Sequence, residues 1–205
     1  MSHEPIVFVV DDDEAMRTSL KWLIESVGIR VLTFSSAREF LSAYYPGRAG
    51  CLLVDVKMPG MSGLELQAQL AKSELGLPVI VITGHGDVAM AVRAMKAGAL
   101  DFIEKPFNDE ALLNSIRRGL DRDATQRRHR LIRADIAARL AQLTPREHEV
   151  MALVTDGKSN KEIAKALAVS AKTVEAHRAR VMDKMGAQSL AELVRMALIA
   201  QAPDH

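Results

Sequence analysis

VFVVDDDEAM, residues 7–16, passes from four consecutive apolar residues directly into four consecutive acids. Mutual repulsion raises the pKa of neighbouring carboxyl groups and opposes their ionisation. A chain that places Asp11, Asp12, Asp13 and Glu14 side by side where an apolar run ends therefore requires something cationic nearby.

The chain has 205 residues, 48% hydrophobic and 26% charged, which is ordinary for a soluble globular protein of one large or two small domains. No apolar stretch approaches the ~20 residues that span a bilayer, and the N-terminus lacks the pattern of a cleavable leader. The single cysteine, Cys51, excludes an intramolecular disulfide and a cysteine-based zinc site. We therefore expect a cytoplasmic protein that does not contact membranes.

Charge is distributed unevenly along the chain. Up to residue 120 there are 12 Lys and Arg against 15 Asp and Glu, whereas from residue 121 onward there are 15 against 11. An acidic first part and a basic second part indicate two domains with different partners, and a polyanion suits the second.

Short β-rich segments alternate with helical segments over the first 120 residues. The predicted strands are IVFVV (6–10), RVLTF (30–34), CLLVD (51–55), PVIVIT (78–83) and DFIE (101–104). Helical segments follow them at 16–27, 37–44, 62–72, 87–97 and 108–120. The first helix has an apolar stripe of Met16, Leu20, Leu23, Ile24 and Val27, and Gly28 is placed to end it. Five βα units predict a doubly wound parallel sheet with helices on both faces.

The second half contains only helical patterns. Residues 121–142 lack Gly and Pro and are rich in Arg, Ala and Leu, which predicts a helical connector. Three capping boxes follow, TPRE (144–147), SNKE (159–162) and SLAE (189–192), and Ser170 marks a fourth helix start. We expect a small all-α domain of four short helices.

Several polar side chains follow the predicted strands at their carboxyl ends. Asp11 and Asp12 come after the first strand, Asp55 ends the third, Thr83 ends the fourth, and Lys105 follows the fifth. Ligands bind at this edge of open α/β sheets, and clustered carboxylates suit Mg²⁺, above all beside a phosphate. The sequence therefore predicts a site for Mg²⁺-assisted phosphoryl chemistry.

Each of these residues also has an ordinary structural interpretation. The acids suit a solvated helix start, Thr83 a turn, and Lys105 the surface. TGHGD (83–87) lacks the glycine spacing of a phosphate-binding loop, and His85 reads as a loop histidine. Their coincidence at one edge of the sheet favours the phosphoryl site.

Five segments carry a resemblance to a known family. VVDDDEAMR (9–17), LLVDVKMPGMSGLEL (52–66), VIVITGHGD (79–87) and GALDFIEKPF (98–107) resemble the receiver domain of two-component response regulators. Residues 143–185, from LTPRE to VMDKM, resemble the LuxR-type helix-turn-helix. Their order and spacing resemble the FixJ subfamily of NarL/LuxR-type regulators, including regulators of aromatic-hydrocarbon catabolism.

The resemblance implies a division of the chain and a strand order. Residues 1–120 would form an α/β receiver with a five-stranded parallel sheet in the flavodoxin-like order 2-1-3-4-5. Residues 121–142 would form a helical linker, and residues 143–205 an all-α DNA-binding domain.

The resemblance also implies roles for the acids. Asp55 would be the phospho-acceptor, attacking a phosphohistidine of a sensor histidine kinase. Asp12 and Asp55 would bind Mg²⁺ directly, Asp11 would act through water, and the backbone carbonyl of Lys57 would complete the protein ligands.

Other residues would handle the phosphoryl group and its signal. Lys105 and Thr83 would contact phosphoryl oxygens, and Pro106 matches a position that often follows a cis peptide bond. Thr83 would move together with Phe102, although Phe102 also suits permanent core. Phosphorylation would then promote homodimerisation through residues 87–104.

The same resemblance implies a DNA-binding activator that works with an operator and RNA polymerase, and not an enzyme. Residues 160–167 would anchor on phosphates and residues 171–185 would enter the major groove, with Val174, Val181 and Met185 as the core stripe. The residues expected at the DNA are Asn160, Lys161, Lys172, Thr173, Glu175, Ala176, Arg178, Ala179 and Arg180. Glu175 and Ala179 stand where some relatives have base-reading lysines, so the target sequence cannot be transferred from them.

Two alternatives from other classes remain at this point. A haloacid-dehalogenase-like phosphatase also uses an aspartyl nucleophile and Mg²⁺, and Asp11 and Asp13 have its DxD spacing after the first strand. A ligand-sensing LuxR-type regulator would explain the second half of the chain alone.

Overall fold

The computed structural model describes residues 4–45, 47–72, 76–84 and 86–202, so that the predicted loop residue His85 lies outside the described residues. The chain forms two compact units, one up to Arg127 and one from Arg128 onward. None of the helices within the described ranges is both long and apolar enough to cross a membrane.

The first unit is built from alternating strands and helices. Its elements are β1 (Ile6–Val10), α1 (Glu14–Glu25), β2 (Arg30–Phe34), α2 (Ala37–Ala43), β3 (Gly50–Asp55), α3 (Gly63–Lys72), β4 (Val79–Thr83), α4 (Val88–Lys96), β5 (Asp101–Glu104) and the first part of α5 (Asp109–Leu140). All strand pairs are parallel, and the sheet order is β2-β1-β3-β4-β5. The predicted fold class and strand order are confirmed, with strand ends within one residue of the prediction.

Both faces of the sheet are buried, and the central strands are apolar up to the residues that end them. In β1, Phe8 and Val10 belong to one buried core, and Val7 and Val9 belong to the other. Alternate side chains of a strand point to opposite faces, so a strand buried on both sides is a continuous apolar run, with polar residues such as Asp55 and Thr83 only at its end.

The first helix differs in part from the predicted stripe. Leu20 and Ile24 are buried, and Met16 and Leu23 pack partly against the same core. Val27 was predicted to belong to this stripe, but it lies beyond the end of the helix and is 39% exposed. Val27 is exposed because the helix ends at Glu25, before the turn at Gly28, which has a positive φ of 78°.

Helix α5 is one continuous helix of 32 residues, so the predicted last helix of the sheet region and the predicted helical connector are a single element. Gly119 lies within it, where a side chain would press on Cys51, with the added Cβ 3.0 Å from Cys51 Cβ. Glycine in a helix interior costs about 1 kcal/mol relative to alanine, and the close packing of α5 on β3 explains its presence here.

The first unit extends beyond residue 120 because α5 binds the loop before β3. The carboxylate of Asp123 accepts a hydrogen bond from Gly50 N at 2.9 Å and pairs with Arg127 Nε at 2.6 Å. Arg127 also donates to the carbonyl oxygens of Gly47 and Arg48. Two further turns of the helix are therefore held by this unit.

The second unit contains the rest of α5 and four short helices, as predicted. They are α6 (Pro145–Thr155), α7 (Asn160–Ala166), α8 (Ala171–Met185) and α9 (Leu190–Gln201). The capping boxes at Thr144 and Ser159 form in both directions. The box predicted at Ser189 forms in one direction only, because Glu192 accepts from Gln188 N at 2.9 Å instead of from the cap residue.

Candidate functional site

A buried ion-pair cluster lies at the carboxyl edge of the sheet. Asp11 follows β1, Asp55 ends β3, and Lys105 follows β5. Lys105 Nζ donates to Asp11 Oδ2 at 2.8 Å and to Asp55 Oδ1 at 2.7 Å. Both carboxylates are buried, and the fold thus brings together three residues that the sequence predicts at one site.

Burial and charge act in opposite directions on these groups. Burial raises the pKa of Asp55, although the hydrogen bond and charge of Lys105 oppose this effect. Burial also lowers the pKa of Lys105, but its bonds to Asp11 and Asp55 outweigh that effect and leave the pKa above its ordinary value. Lys105 therefore stays cationic, and Asp55 holds its charge less readily than an exposed aspartate.

Backbone groups fix the orientation of the two carboxylates. Lys57 N donates to Asp55 Oδ2 at 2.6 Å, and Asp13 N donates to Asp11 Oδ1 at 2.9 Å. A side chain at Gly63, the first residue of α3, would overlap the carbonyl oxygen of Asp55. Glycine there lets α3 begin directly against the strand that carries Asp55.

Arg17 supports the same loop and was missed by the sequence analysis. Its guanidinium donates to the carbonyl oxygen of Asp11 at 2.7 Å. The only sequence signal was its place at the end of VVDDDEAMR, residues 9–17. The contact ties α1 to the acidic loop.

The remaining acids of the opening stretch have other positions. Asp12, which directly follows Asp11 in the chain, is exposed. Asp13 caps α1, accepting from Ala15 N at 2.8 Å and Met16 N at 3.3 Å. Because the Asp13 carboxylate is used in capping, it does not join Asp11 as the second acid of a phosphatase-type pair.

The described part of the chain contains no group of three or more His, Cys, Asp and Glu side chains arranged to hold a metal ion. Asp11 and Asp55 instead share the ammonium of Lys105. The available donors are carboxylate oxygens, which are the hard ligands that suit Mg²⁺. Lys57 is exposed, and its amide already orients Asp55.

Thr83 and Phe102 lie close to one another beside a glycine. Thr83 is buried at the end of β4, and Phe102 is half-buried in the neighbouring strand β5. A Cβ added to Gly86 would lie 3.1 Å from Phe102 Cε1 and 3.2 Å from Thr83 Cγ2. Little free space therefore separates the two side chains from this loop. The Lys105–Pro106 peptide bond is cis, as the resemblance implies.

Helix α4 presents an apolar stripe to the outside. Val88 is 81% exposed, and Val92 and Met95, which follow at helical spacing, are also exposed. These residues lie in the segment 87–104 that the resemblance assigns to dimerisation.

Helices α7 and α8 have the sequence and turn of a helix-turn-helix. Ala168 in the connecting turn has φ 53°, and Ser170 caps α8 by accepting from Thr173 N. The core stripe is confirmed because Val174, Val181 and Met185 are buried. Burial of this stripe leaves the opposite face of α8 accessible.

Most residues predicted to contact DNA lie on accessible surface. The exposed ones are Lys161, Lys172, Thr173, Glu175, Ala176, Ala179 and Arg180. Arg178 differs from these because it is half-buried and its Nη1 donates to Asn160 Oδ1 at 2.7 Å. Asn160 and Arg178 therefore join the first turn of α7 to the middle of α8.

A buried carboxylate of α6 bonds a side chain of α8. Glu147 is 2% exposed, and its Oε2 accepts from Thr144 N at 2.9 Å and from Lys184 Nζ at 2.6 Å. The bond to Lys184, followed by the bond to Thr144 N, lowers the pKa of Glu147 to about 2. The capping box identified Glu147, but nothing in the sequence identified Lys184 as its partner.

Both parts of the chain match known protein families. Residues 7–117 match the family described as "Response regulator receiver domain", and residues 141–197 match "Bacterial regulatory proteins, luxR family". The transcriptional regulatory protein FixJ of Azorhizobium caulinodans is 50% identical over 194 residues, which are 95% of this chain and 92% of the relative. The response regulator protein TodT of Pseudomonas putida is 41% identical over 191 residues, with 93% and 84% covered. The solved structure of response regulator StyR has 44% identity and a TM-score of 0.86, and the match covers 96% of this chain and 99% of StyR.

The chain therefore belongs to the response regulators that join a receiver domain to a LuxR-type DNA-binding domain, and within them to the FixJ-like transcriptional regulatory proteins. It is a DNA-binding transcriptional regulator that phosphorylation activates. The resemblance inferred from the motifs is confirmed. The alternative of a ligand-sensing LuxR-type regulator is wrong, because the first half is a receiver.

Proposed function

We propose that Asp55 is the residue that accepts the phosphoryl group from a sensor histidine kinase. The observation that carries the proposal is the pair of bonds from Lys105 Nζ to Asp55 and Asp11 at the carboxyl edge of the sheet. A half-buried cation beside the acceptor oxygen can balance the charge that a phosphoryl group brings. Thr83, buried at the end of the next strand, would donate a hydrogen bond to another phosphoryl oxygen.

The receiver would work with Mg²⁺. Asp12 and Asp55 would bind it directly, Asp11 through water, and the Lys57 carbonyl would complete the protein ligands. In support, Asp12 is exposed and directly follows Asp11, which shares the ammonium of Lys105 with Asp55. When bound, the metal supplies positive charge next to the transferred phosphoryl group. The acid cluster would then be ionised without an excess of negative charge.

The phosphoryl group would change the surface at α4 and β5. Movement of Thr83 toward it would free space for Phe102, which borders the same glycine loop. The exposed stripe of α4 supports homodimerisation through residues 87–104, because association would cover its apolar side chains.

The second unit would bind an operator with two-fold symmetry as part of this dimer. Lys161 and the start of α7 would contact phosphates, and the exposed face of α8 would reach base edges in the major groove. Arg178 would act together with Asn160, its hydrogen-bond partner. The DNA set would comprise Asn160, Lys161, Lys172, Thr173, Glu175, Ala176, Arg178, Ala179 and Arg180.

We further propose that the chain divides into a receiver (1–120), a helical linker (121–142) and a DNA-binding domain (143–205), with the linker belonging to the receiver unit up to residue 127 and to the DNA-binding unit from residue 128. Its partners would be a sensor kinase, operator DNA and RNA polymerase, in the cytoplasm and without turnover of a diffusible substrate. Activation of transcription is the proposed outcome.

One experiment tests phosphorylation and its consequence together. The full chain is incubated with Mg²⁺ and acetyl phosphate, and intact mass, the modified peptide and the molar mass in solution are measured. We expect one phosphoryl group on Asp55 and a shift from monomer to dimer. Asp13→Ala is the matched control, because Asp13 caps α1 and should leave acceptance of phosphate intact. Phosphorylation of Asp55→Asn to the same extent as the wild type would refute the assignment of Asp55 as the acceptor.

A further inference from the structure

The last turns of α5, residues 128–140, are part of the DNA-binding unit. Ile136 is 3% exposed and belongs to the core of this unit, and Leu140 packs partly against it. Arg133 Nη2 donates to the carbonyl oxygen of Ala202, the C-cap residue after α9, at 2.6 Å. This segment therefore does more than span the distance to the receiver.

One side chain of this segment reaches the recognition helix. Arg139 Nη1 donates to the carbonyl oxygen of Met185, the last residue of α8, at 2.7 Å. The final carbonyl groups of a helix have no partner within the helix, and a cation near them is favoured by the helix dipole. Arg139 thus supplies both a donor and a charge where α8 needs them.

A second residue of α5 holds Arg139 in place. Asp135, one turn earlier, forms an ion pair with Arg139, with Asp135 Oδ2 lying 3.0 Å from Arg139 Nε. The guanidinium is thereby bonded on one edge to its own helix and on another to α8. An arginine fixed in this way loses less freedom on capping than an isolated one would.

The residue after α8 leaves room for this contact. Gly186 has φ 64°, a left-handed conformation in which other residues are strained. A Cβ at Gly186 would overlap Arg139 Nη1. Because a guanidinium at the end of a flexible side chain can move away, a side chain at this position would displace Arg139.

We infer that Arg139 is a positioning residue for DNA recognition, and that Asp135 acts through it. The pair fixes the C-terminal end of α8, so that the exposed face of the helix is already ordered when it meets DNA. The inference rests on the proposed role of α8 as recognition helix. It assigns to residues 128–140 a share in DNA affinity that does not depend on pairing of receivers.

The test uses the full chain and a DNA duplex that the wild-type protein, activated with beryllofluoride and Mg²⁺, selects from a random-sequence pool. If the wild type selects no duplex, the proposed role of α8 in DNA binding is refuted, and the inference that rests on it is refuted as well. With the selected duplex, Arg139→Ala should bind roughly tenfold more weakly. Arg128→Ala, an exposed arginine on the same segment, is the matched control and should bind as wild type.

Two further readouts separate positioning from other roles of Arg139. The dependence of affinity on salt should keep the wild-type slope, because the guanidinium contacts a protein carbonyl and not a phosphate. Hydrogen exchange at the C-terminal turn of α8 should increase in Arg139→Ala and stay unchanged in Arg128→Ala. Unchanged affinity, or a slope lower by about one, would overturn the inference.

Asp135 supplies a variant that leaves the arginine in place. Asp135→Ala should weaken binding less than Arg139→Ala, and the double variant should bind no more weakly than Arg139→Ala alone. Full additivity of the two losses would contradict action of Asp135 through Arg139. If Arg139→Ala does not fold, the test uses Asp135→Ala and Arg139→Lys, which keeps the charge. An intermediate loss of DNA affinity in these variants would support the inference, and no loss would contradict it.

Discussion

Lys105 Nζ lies 2.7 Å from Asp55 Oδ1, and this bond joins residues at the ends of two non-adjacent strands, β5 and β3. The same ammonium bonds Asp11, so one half-buried cation is shared by two buried carboxylates. Any divalent cation that binds these carboxylates must share them with Lys105. The ion pair therefore connects metal binding with the charge that remains for a phosphoryl group.

Replacement of Lys105 by methionine should strengthen Mg²⁺ binding by about tenfold, because a competing cation is removed from two carboxylates. The same variant should respond poorly to phosphorylation, because no ammonium remains to hold the phosphoryl oxygens. Calorimetric titration with MgCl₂ measures the first effect, and the molar mass after acetyl phosphate treatment measures the second. Weaker Mg²⁺ binding by Lys105→Met would contradict the competition.

Asp12→Ala should weaken Mg²⁺ binding, since loss of one carboxylate lowers both the charge and the number of ligands. Thermal unfolding at increasing MgCl₂ provides the measurement, because a ligand that binds only the folded state raises the midpoint. Glu14→Ala, which removes an exposed acid two residues further on in the first turn of α1, is the control and should keep the wild-type response. Equal midpoints for Asp12→Ala and wild type would exclude Asp12 as a ligand.

Gly86→Ala should leave phosphorylation intact and reduce the shift to dimer. The added methyl group would press on Phe102 and Thr83 and restrict their joint movement. Gly84→Ala is a matched control, because its Cβ would have no neighbour within 4 Å. Thr83→Ala should likewise accept phosphate but dimerise less. Analytical ultracentrifugation with and without beryllofluoride measures the shift, and a full shift in Gly86→Ala would argue against the proposed coupling.

Glu147 should make the stability of the DNA-binding unit depend on pH. Its folded pKa of about 2 lies below its ordinary value of 4.5, so its stabilising contribution is complete above 4.5 and is lost as pH falls toward about 2. Glu147→Gln should therefore lower the stability of α6 at pH 6 and approach the wild type near pH 2. Urea titrations followed by hydrogen exchange of α6 peptides measure this effect.

The control for the pH experiment is Glu149→Gln, which removes an exposed carboxylate from the same helix. It should keep the wild-type dependence of stability on pH. If Glu147→Gln retains the same loss of stability between pH 4.5 and 2, the buried pair with Lys184 is not its source.

Lys161→Ala and Arg180→Ala should affect DNA binding in different ways. Lys161, exposed at the start of α7, should contact a phosphate, so its loss should weaken all sequences alike and lower the salt slope by about one. Arg180→Ala should cost about 1 to 3 kcal/mol selectively on the cognate site if Arg180 reads a guanine. Arg178→Ala and Asn160→Ala should behave alike, because the two side chains form one hydrogen bond.

Footprinting and fluorescence titrations with the selected duplex distinguish these cases. If Lys161→Ala, Arg178→Ala and Arg180→Ala all leave specific binding untouched, α8 does not enter the groove.

The sequence by itself determined the order of strands and helices, because hydrophobic period and capping residues act within about four residues of one another. Such local patterns predicted the bounds of α8 and its core stripe from Val174 to Met185. They also predicted that Asp11, Asp55 and Lys105 lie at one edge of the sheet. Two features differed from the prediction, the exposure of Val27 and the one-sided cap at Ser189. Small changes at a helix end alter which side chains are exposed and which groups form hydrogen bonds.

Only the tertiary structure decided which side chains meet across elements. The bond from Lys105 to Asp11 joins residues 94 positions apart, and the bond from Arg139 to Met185 joins residues 46 apart. Such pairs depend on how whole elements pack and on which rotamers remain free, and no local period encodes either. The burial of Ile136 is of the same kind, because the core in which its side chain lies is completed by helices later in the chain.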